Sequence, residues 1–179
     1  MPHAIEMSFG PVSEEKVRDI WRELARRGVS SYMRDCGARP HISLAVFDEL
    51  DPEDAERKLS AFAAEVSPFP VLLSNLGVFS GDLSVLFLGP VVSAELIGAH
   101  RKVHELFARD RPSEWEHYLE EKWIPHCTLA LDLSREMVPR AVESCMAVHL
   151  PIEATVTEIG LIEFRPVKEL FSFNLRSEE

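Results

Sequence analysis

Apolar residues alternate with polar or small ones from the first positions. Ile5, Met7 and Phe9 fall on one face of an extended segment, the two-residue period of a strand packed on a core. Gly10-Pro11 interrupts it, and the period then changes. Val17, Ile20, Trp21 and Leu24 recur at helical spacing. Ser13 is the expected N-cap, Glu14 and Glu15 suit the first turn, and Gly28 marks the stop. A strand is predicted over 40–47. Asp51-Pro52 then opens a helix with Ala55, Leu59, Phe62 and Val66 on one face, ended by Pro68 and Pro70.

Strands are predicted at about 70–79 and 83–89, joined through Ser80-Gly81-Asp82. A helix at about 92–109 follows, then a polar stretch, 110–122, with no clear period. A strand at about 125–133, a helix over 135–147, and strands at about 152–164 and 168–175 complete the chain, the last two separated at Arg165-Pro166. The predicted order is β-α-β-α-β-β-α-β-α-β-β. It lacks the glycine-rich turn of a dinucleotide-binding fold, and no low-complexity linker divides it. An α+β unit of two lobes spanning 1–179 is expected.

Composition narrows the class. With 46% apolar residues in 179, the chain can bury a core without disulfides. Cys36, Cys127 and Cys145 are odd in number and form no CxxC, which argues against a disulfide framework or a structural zinc site. The net charge of −11 is a poor overall field for duplex DNA. A small nucleotide or the end of an RNA is the easier partner. No apolar run reaches membrane-spanning length and no signal-peptide pattern is visible. A monomer in the cytoplasm, without membrane contact, is expected.

The chemistry sits in a repeat. Pro40-His41-Ile42-Ser43-Leu44-Ala45 and Pro125-His126-Cys127-Thr128-Leu129-Ala130 both read P-H-x-[S/T]-L-A, 85 positions apart. Residues i and i+2 leave a strand on the same face. His41 therefore points with Ser43, and His126 with Thr128. Ile42, Leu44, Cys127 and Leu129 point into the core. If the two strands lie side by side, one cleft receives two imidazoles and two hydroxyls. One neutral and one protonated imidazole suit general base and general acid. The hydroxyls suit the non-bridging oxygens of a phosphoryl group. No metal and no cofactor is required.

This doubled motif resembles that of the 2H phosphoesterase superfamily, the LigT-like or 2′-5′ RNA ligase-like family. The segments Gly77-Val78-Phe79 and Val85-Leu86-Phe87-Leu88-Gly89 also resemble its hairpin between lobes. The resemblance implies a two-lobed, pseudo-symmetric fold, with two antiparallel-rich sheets forming a central cleft and helices outside. It implies a hydrolase acting on phosphoric diesters, with 2′,3′-cyclic phosphates of nucleotides or RNA ends as substrate. The implied catalytic residues are His41 and His126, with Ser43 and Thr128 binding phosphate. Its alternatives are 2′-5′ RNA ligation, oligonucleotide end processing, and a catalytically silent nucleotide-binding module. The bacterial RNA-end group tends to continue its second motif as H-x-T-L-x-R, whereas here position 131 is Leu131. Arg34, Arg39 and Arg165 are the candidates to supply the missing cation.

Other residues carry blander expectations. His100 and His104, at i and i+4, are expected on an exposed helix face, and His3, His117 and His149 at the surface. Glu114, Glu116, Glu120 and Glu121 read as a solvated face. Tyr32, Phe79, Phe87, Trp115 and Trp123 are candidates to stack on a base, and otherwise core or cleft wall.

Overall fold

A single long strand, β6 (Ile152–Glu163), joins the two halves of the sheet in the computed structural model, which describes residues 1–177. Along one edge β6 pairs with β1 (His3–Phe9), and β1 in turn pairs with β2 (His41–Phe47). The other edge of β6 carries β3 (Phe69–Phe79) on its first half and β7 (Lys168–Asn174) on its second. β4 (Ser84–Pro90) and β5 (Cys127–Leu133) extend the β3 side. All of these pairings are antiparallel, and the path runs β2-β1-β6-β3-β4-β5. The two expected antiparallel lobes are therefore branches of one hydrogen-bonded sheet.

The helices are α1 (Pro11–Arg26), the single-turn α2 (Tyr32–Asp35), α3 (Pro52–Glu65), α4 (Ala94–Leu106) and α5 (Met137–Cys145). The segment without a clear period contains two 3₁₀ turns, Arg111–Ser113 and Glu116–Tyr118. No helix among the described residues is long and apolar enough to cross a membrane.

The predicted stripes are the buried ones. Val17, Ile20, Trp21 and Leu24 of α1, and Ala55, Leu59 and Phe62 of α3, are buried. Two boundaries differ. Val66, expected on the α3 stripe, falls just beyond the helix as its extended C-cap and is only partly buried. α1 begins at Pro11 with Gly10 as its N-cap, and Ser13 is not the cap. Proline at the first helical position needs no N–H partner, so the helix starts earlier. Ser13 lies inside the first turn instead and donates its hydroxyl to the Glu153 carbonyl of β6 at 3.1 Å.

Behind the two motifs the core is dry. Ile42 and Leu44 on β2 and Cys127 and Leu129 on β5 are no more than 1% exposed. The isoleucine and leucines among them each contribute about 1.5–3 kcal/mol by leaving water. The motif strands thus have one face locked into the core, and the motif histidines and hydroxyl residues lie on the other.

On the β3–β4 hairpin, Gly77 lies opposite Phe87, and a Cβ at Gly77 would run into the Phe87 ring. Gly77→Ala is expected to lower the urea midpoint, by about 1–3 kcal/mol of overpacking. Gly98→Ala, in open space on α4, is expected to gain about 0.5–1 kcal/mol of helix propensity. Equal effects at the two sites would contradict this packing.

Candidate active site

β2 and β5 stand at opposite ends of the strand order, and no hydrogen-bonded ladder joins them among the described residues. They are not paired side by side, but the sheet curls and brings them into contact. The Cys127 thiol meets the His41 backbone, and the positive form of His126 is opposed by His41. The two motifs thus adjoin, with Ser43 and Thr128 each 9% exposed.

The two halves repeat in detail. His41 Nδ1 lies 2.6 Å from the Arg39 carbonyl, and His126 Nδ1 lies 2.7 Å from the Ile124 carbonyl. A carbonyl only accepts, so each Nδ1 carries the hydrogen. Nε2 is then the working nitrogen of each neutral ring. The carbonyls of the hydroxyl residues are also matched. Trp21 Nε1 donates to Thr128 O at 3.0 Å, and Trp123 Nε1 donates to Ser43 O at 3.1 Å.

Around this symmetric frame the surroundings differ. Beside His126 is an aromatic wall. Phe79 and Phe87 stack at 4.3 Å, and their centroids lie 4.9 and 5.5 Å from the imidazole. Beside His41 is a carboxyl, Glu6, whose Oε1 lies 3.1 Å from Nε2. Tyr118 faces Ser43, and burial pushes its phenol up to about 12, so it stays neutral. Burial lowers both motif histidines. The carbonyl bonds from Arg39 and Ile124 oppose that, and repulsion from His41 further lowers His126. Burial pushes the Cys127 thiol up to about 12, so it is no thiolate.

Glu6 and Tyr118 were not among the residues singled out from sequence. A signal for Glu6 existed. It is the one charge on the strand face opposite Ile5, Met7 and Phe9, and β1 aligns it with Ser43. Tyr118 had none, because its segment has no period.

Several other residues lie elsewhere than expected. Arg39 is not a free cation for phosphate, since it bonds Glu14 and Glu158 at 2.8–3.3 Å. Arg34 pairs with its neighbour Asp35 on the surface. Arg165 lies over the Phe164 ring at the β6–β7 turn. His100 and His104 are buried at 2%, not on an exposed face. His100 stacks on Trp123 at 3.8 Å and its Nε2 lies 2.9 Å from the Tyr118 carbonyl. His104 Nε2 lies 3.2 Å from the Leu44 carbonyl of β2, and its Nδ1 lies 3.0 Å from Glu114. Glu114 is accordingly a buried carboxyl, not part of a solvated face. His3 is buried at 5% rather than at the surface. Trp115 bonds Asp48 and packs on Phe164. Tyr32 is 46% exposed on α2. No cluster of three His, Cys, Asp or Glu among the described residues is placed to hold a metal ion.

Comparison with known proteins gives the family and the fold. The family profile of the 2′-5′ RNA ligase superfamily matches residues 12–167. Among curated protein sequences none matches the chain. The fold is similar to that of TT0787 of Thermus thermophilus, at 21% identity over 100% of both chains with a TM-score of 0.62. It is similar to E. coli LigT complexed with 3′-AMP, at 20% identity over 98% of both chains with a TM-score of 0.58. It is also similar to Kluyveromyces marxianus Usb1, at 12% identity over 94% of this chain and 97% of that one, with a TM-score of 0.51.

The His100 contact makes a stability prediction. Burial first, and then repulsion from His104, lower His100 to about 4. A depressed folded value means stability that is present above 6.5 and lost as pH falls towards about 4. The loss amounts to about 3 kcal/mol. His100→Phe keeps a ring against Trp123 but removes this proton. Urea denaturation should show the gap between variant and wild type closing as pH drops from 7 to 4. A constant gap would contradict the assignment.

Proposed function

The chain belongs to the 2′-5′ RNA ligase superfamily, the 2H phosphoesterases, and within it we propose a metal-independent hydrolase of cyclic phosphodiesters. One observation supports this reading: two imidazoles on adjoining strands are each held at Nδ1 by the backbone carbonyl two residues earlier, with a buried hydroxyl residue two positions on. In this reading one neutral histidine takes a proton from the attacking water through Nε2. The other, protonated, gives a proton to the leaving ribose oxygen. The Ser43 and Thr128 hydroxyls donate to the non-bridging phosphoryl oxygens, where charge is greatest in the transition state. In this reading the Phe79–Phe87 wall beside His126 supports the base.

A 2′,3′-cyclic phosphate suits the cleft better than a polyanion. It brings a single negative charge, and the arginines nearest in sequence to the first motif are held by carboxylates. Hydroxyl donors and one imidazolium can balance one charge but not a long backbone. A small nucleotide or RNA-end substrate, turned over by a monomer in the cytoplasm, remains the proposed setting.

The test is incubation with 2′,3′-cyclic nucleotides in EDTA, with products resolved by chromatography. A 2′-phosphate product is expected. His41→Ala and His126→Ala should each lower kcat/KM by about 10²- to 10⁴-fold, with the fold unchanged by circular dichroism. Activity abolished by EDTA, or full activity in either variant, would overturn the two-histidine mechanism. If neither cyclic nucleotides nor RNA oligonucleotides yield product, binding without turnover becomes the better account.

A further inference from the structure

We infer that Glu6 shares one proton with the working nitrogen of His41, and that the cleft admits a phosphodiester anion only while that proton is present. The inference rests on the reading of His41 as an acid–base group.

The geometry excludes the usual supporting role for a carboxyl behind a histidine. That role belongs to the Arg39 carbonyl, which already occupies Nδ1. Glu6 Oε1 sits instead at Nε2, at 3.1 Å, with the carboxyl side chain 9% exposed. It therefore lies where a substrate or an attacking water must come. The other half of the molecule shows what the fold places there when no carboxyl is used. Glu6 of β1 is opposite Ser43 of β2, just as Phe87 of β4 is opposite Thr128 of β5. Glu6 thus takes the place against His41 that Phe87 takes against His126. An aromatic ring needs no proton; a buried carboxyl beside an imidazole must share one or remain an uncompensated charge.

The surrounding charges favour keeping that proton. Facing Glu6 are His41 on β2, Arg39 just before it, Glu169 on β7, Tyr118 on its 3₁₀ turn and Cys127 on β5. Arg39 is the one cation, and its charge is taken by Glu14 and Glu158, with Glu169 at 3.9 Å. Tyr118 and Cys127 are both neutral. Burial, and then Glu169, push the Glu6 carboxyl well above the usual carboxylate range, with Arg39 opposing. Burial holds His41 below its ordinary value. The separation would suit an ion pair, but both directions favour the neutral form, with the Glu6 hydroxyl donating to Nε2. An ionised Glu6 beside a neutral imidazole puts a negative charge where the phosphate must sit. The protonated pair does not.

The test uses the full chain and Glu6→Gln, an isostere that cannot ionise. Imidazole ¹⁵N NMR between pH 4 and 9 should show two inflections at His41 in the wild type and one in E6Q. With 2′,3′-cyclic AMP, wild-type KM should rise about tenfold per pH unit above the ionisation of the pair, whereas E6Q KM should stay flat over that range. A single His41 inflection unchanged by E6Q, or the same KM profile in both proteins, would overturn the inference. So would a loss of kcat in E6Q as large as in His41→Ala at every pH, which would mean that the ionised carboxylate is required. Should E6Q fail to fold, Glu6→Asp, one methylene short of Nε2, should likewise reduce His41 to one inflection. Two inflections there would count against the pair. Absence of turnover in both proteins would sink the proposed function, and the NMR titration would still decide on the shared proton.

Discussion

Two strands that share no ladder must be held face to face, and two indole N–H groups do this. Trp21, on the helix that follows β1, donates to Thr128 O on β5. Trp123, just before β5, donates to Ser43 O on β2. Each lobe thus reaches across the cleft to the other's motif strand, and does so at the carbonyl of the residue whose hydroxyl faces the cleft. An edge-strand carbonyl left buried and unpaired would cost about 1–3 kcal/mol. The indoles satisfy that requirement and fix the distance between lobes at once. His104 does the same one residue further along, with its Nε2 3.2 Å from Leu44 O.

Symmetry of the frame and asymmetry of its lining have different origins. The frame is set by backbone: carbonyls two residues before each histidine, and carbonyls at each hydroxyl residue. The lining comes from the neighbouring strand, β1 in one half and β4 in the other. A repeated motif therefore guarantees two similarly oriented imidazoles but not two similar environments. Phe87 gives His126 an apolar neighbour, and Glu6 gives His41 a titrating one. In a two-histidine mechanism the two rings must differ in protonation, and this lining is the clearest difference between them.

The alternation of Ile5, Met7 and Phe9 and the stripe Val17, Ile20, Trp21 and Leu24 were legible because each repeats a period over a full element. The repeated P-H-x-[S/T]-L-A was legible because strand geometry alone sets which residues share a face. Pairing was not. The sequence carries no mark that β2 and β5 lie at opposite ends of one path, since that depends on β6 receiving β1 on one edge and β3 with β7 on the other. His100, His104 and Glu114 read as surface because polar residues on a helix or in an unpatterned segment usually are. His100 and His104 are buried against the backbone carbonyls of Tyr118 and Leu44, and Glu114 lies beside His104. Ser13 read as a cap because it precedes the stripe, yet Pro11 starts the helix a turn earlier.

An acidic chain acting on phosphate invites the question of where the attraction comes from. Arg39, the arginine nearest the first motif, is surrounded by Glu14, Glu158 and Glu169, so it stiffens the entry to β2 without lending much field to the cleft. The donors the proposed function relies on are the two hydroxyls and a proton at Nε2 of whichever imidazole is protonated. Such donors depend on close geometry and fall off within a hydrogen-bond length, unlike an arginine cluster that draws polyanions over a Debye length. Under the proposed function, such a site would discriminate by fit to one phosphoryl group, and its affinity would follow its own protonation. On that proposal the net charge of −11 would act as a filter against long nucleic acids rather than as an obstacle to the chemistry.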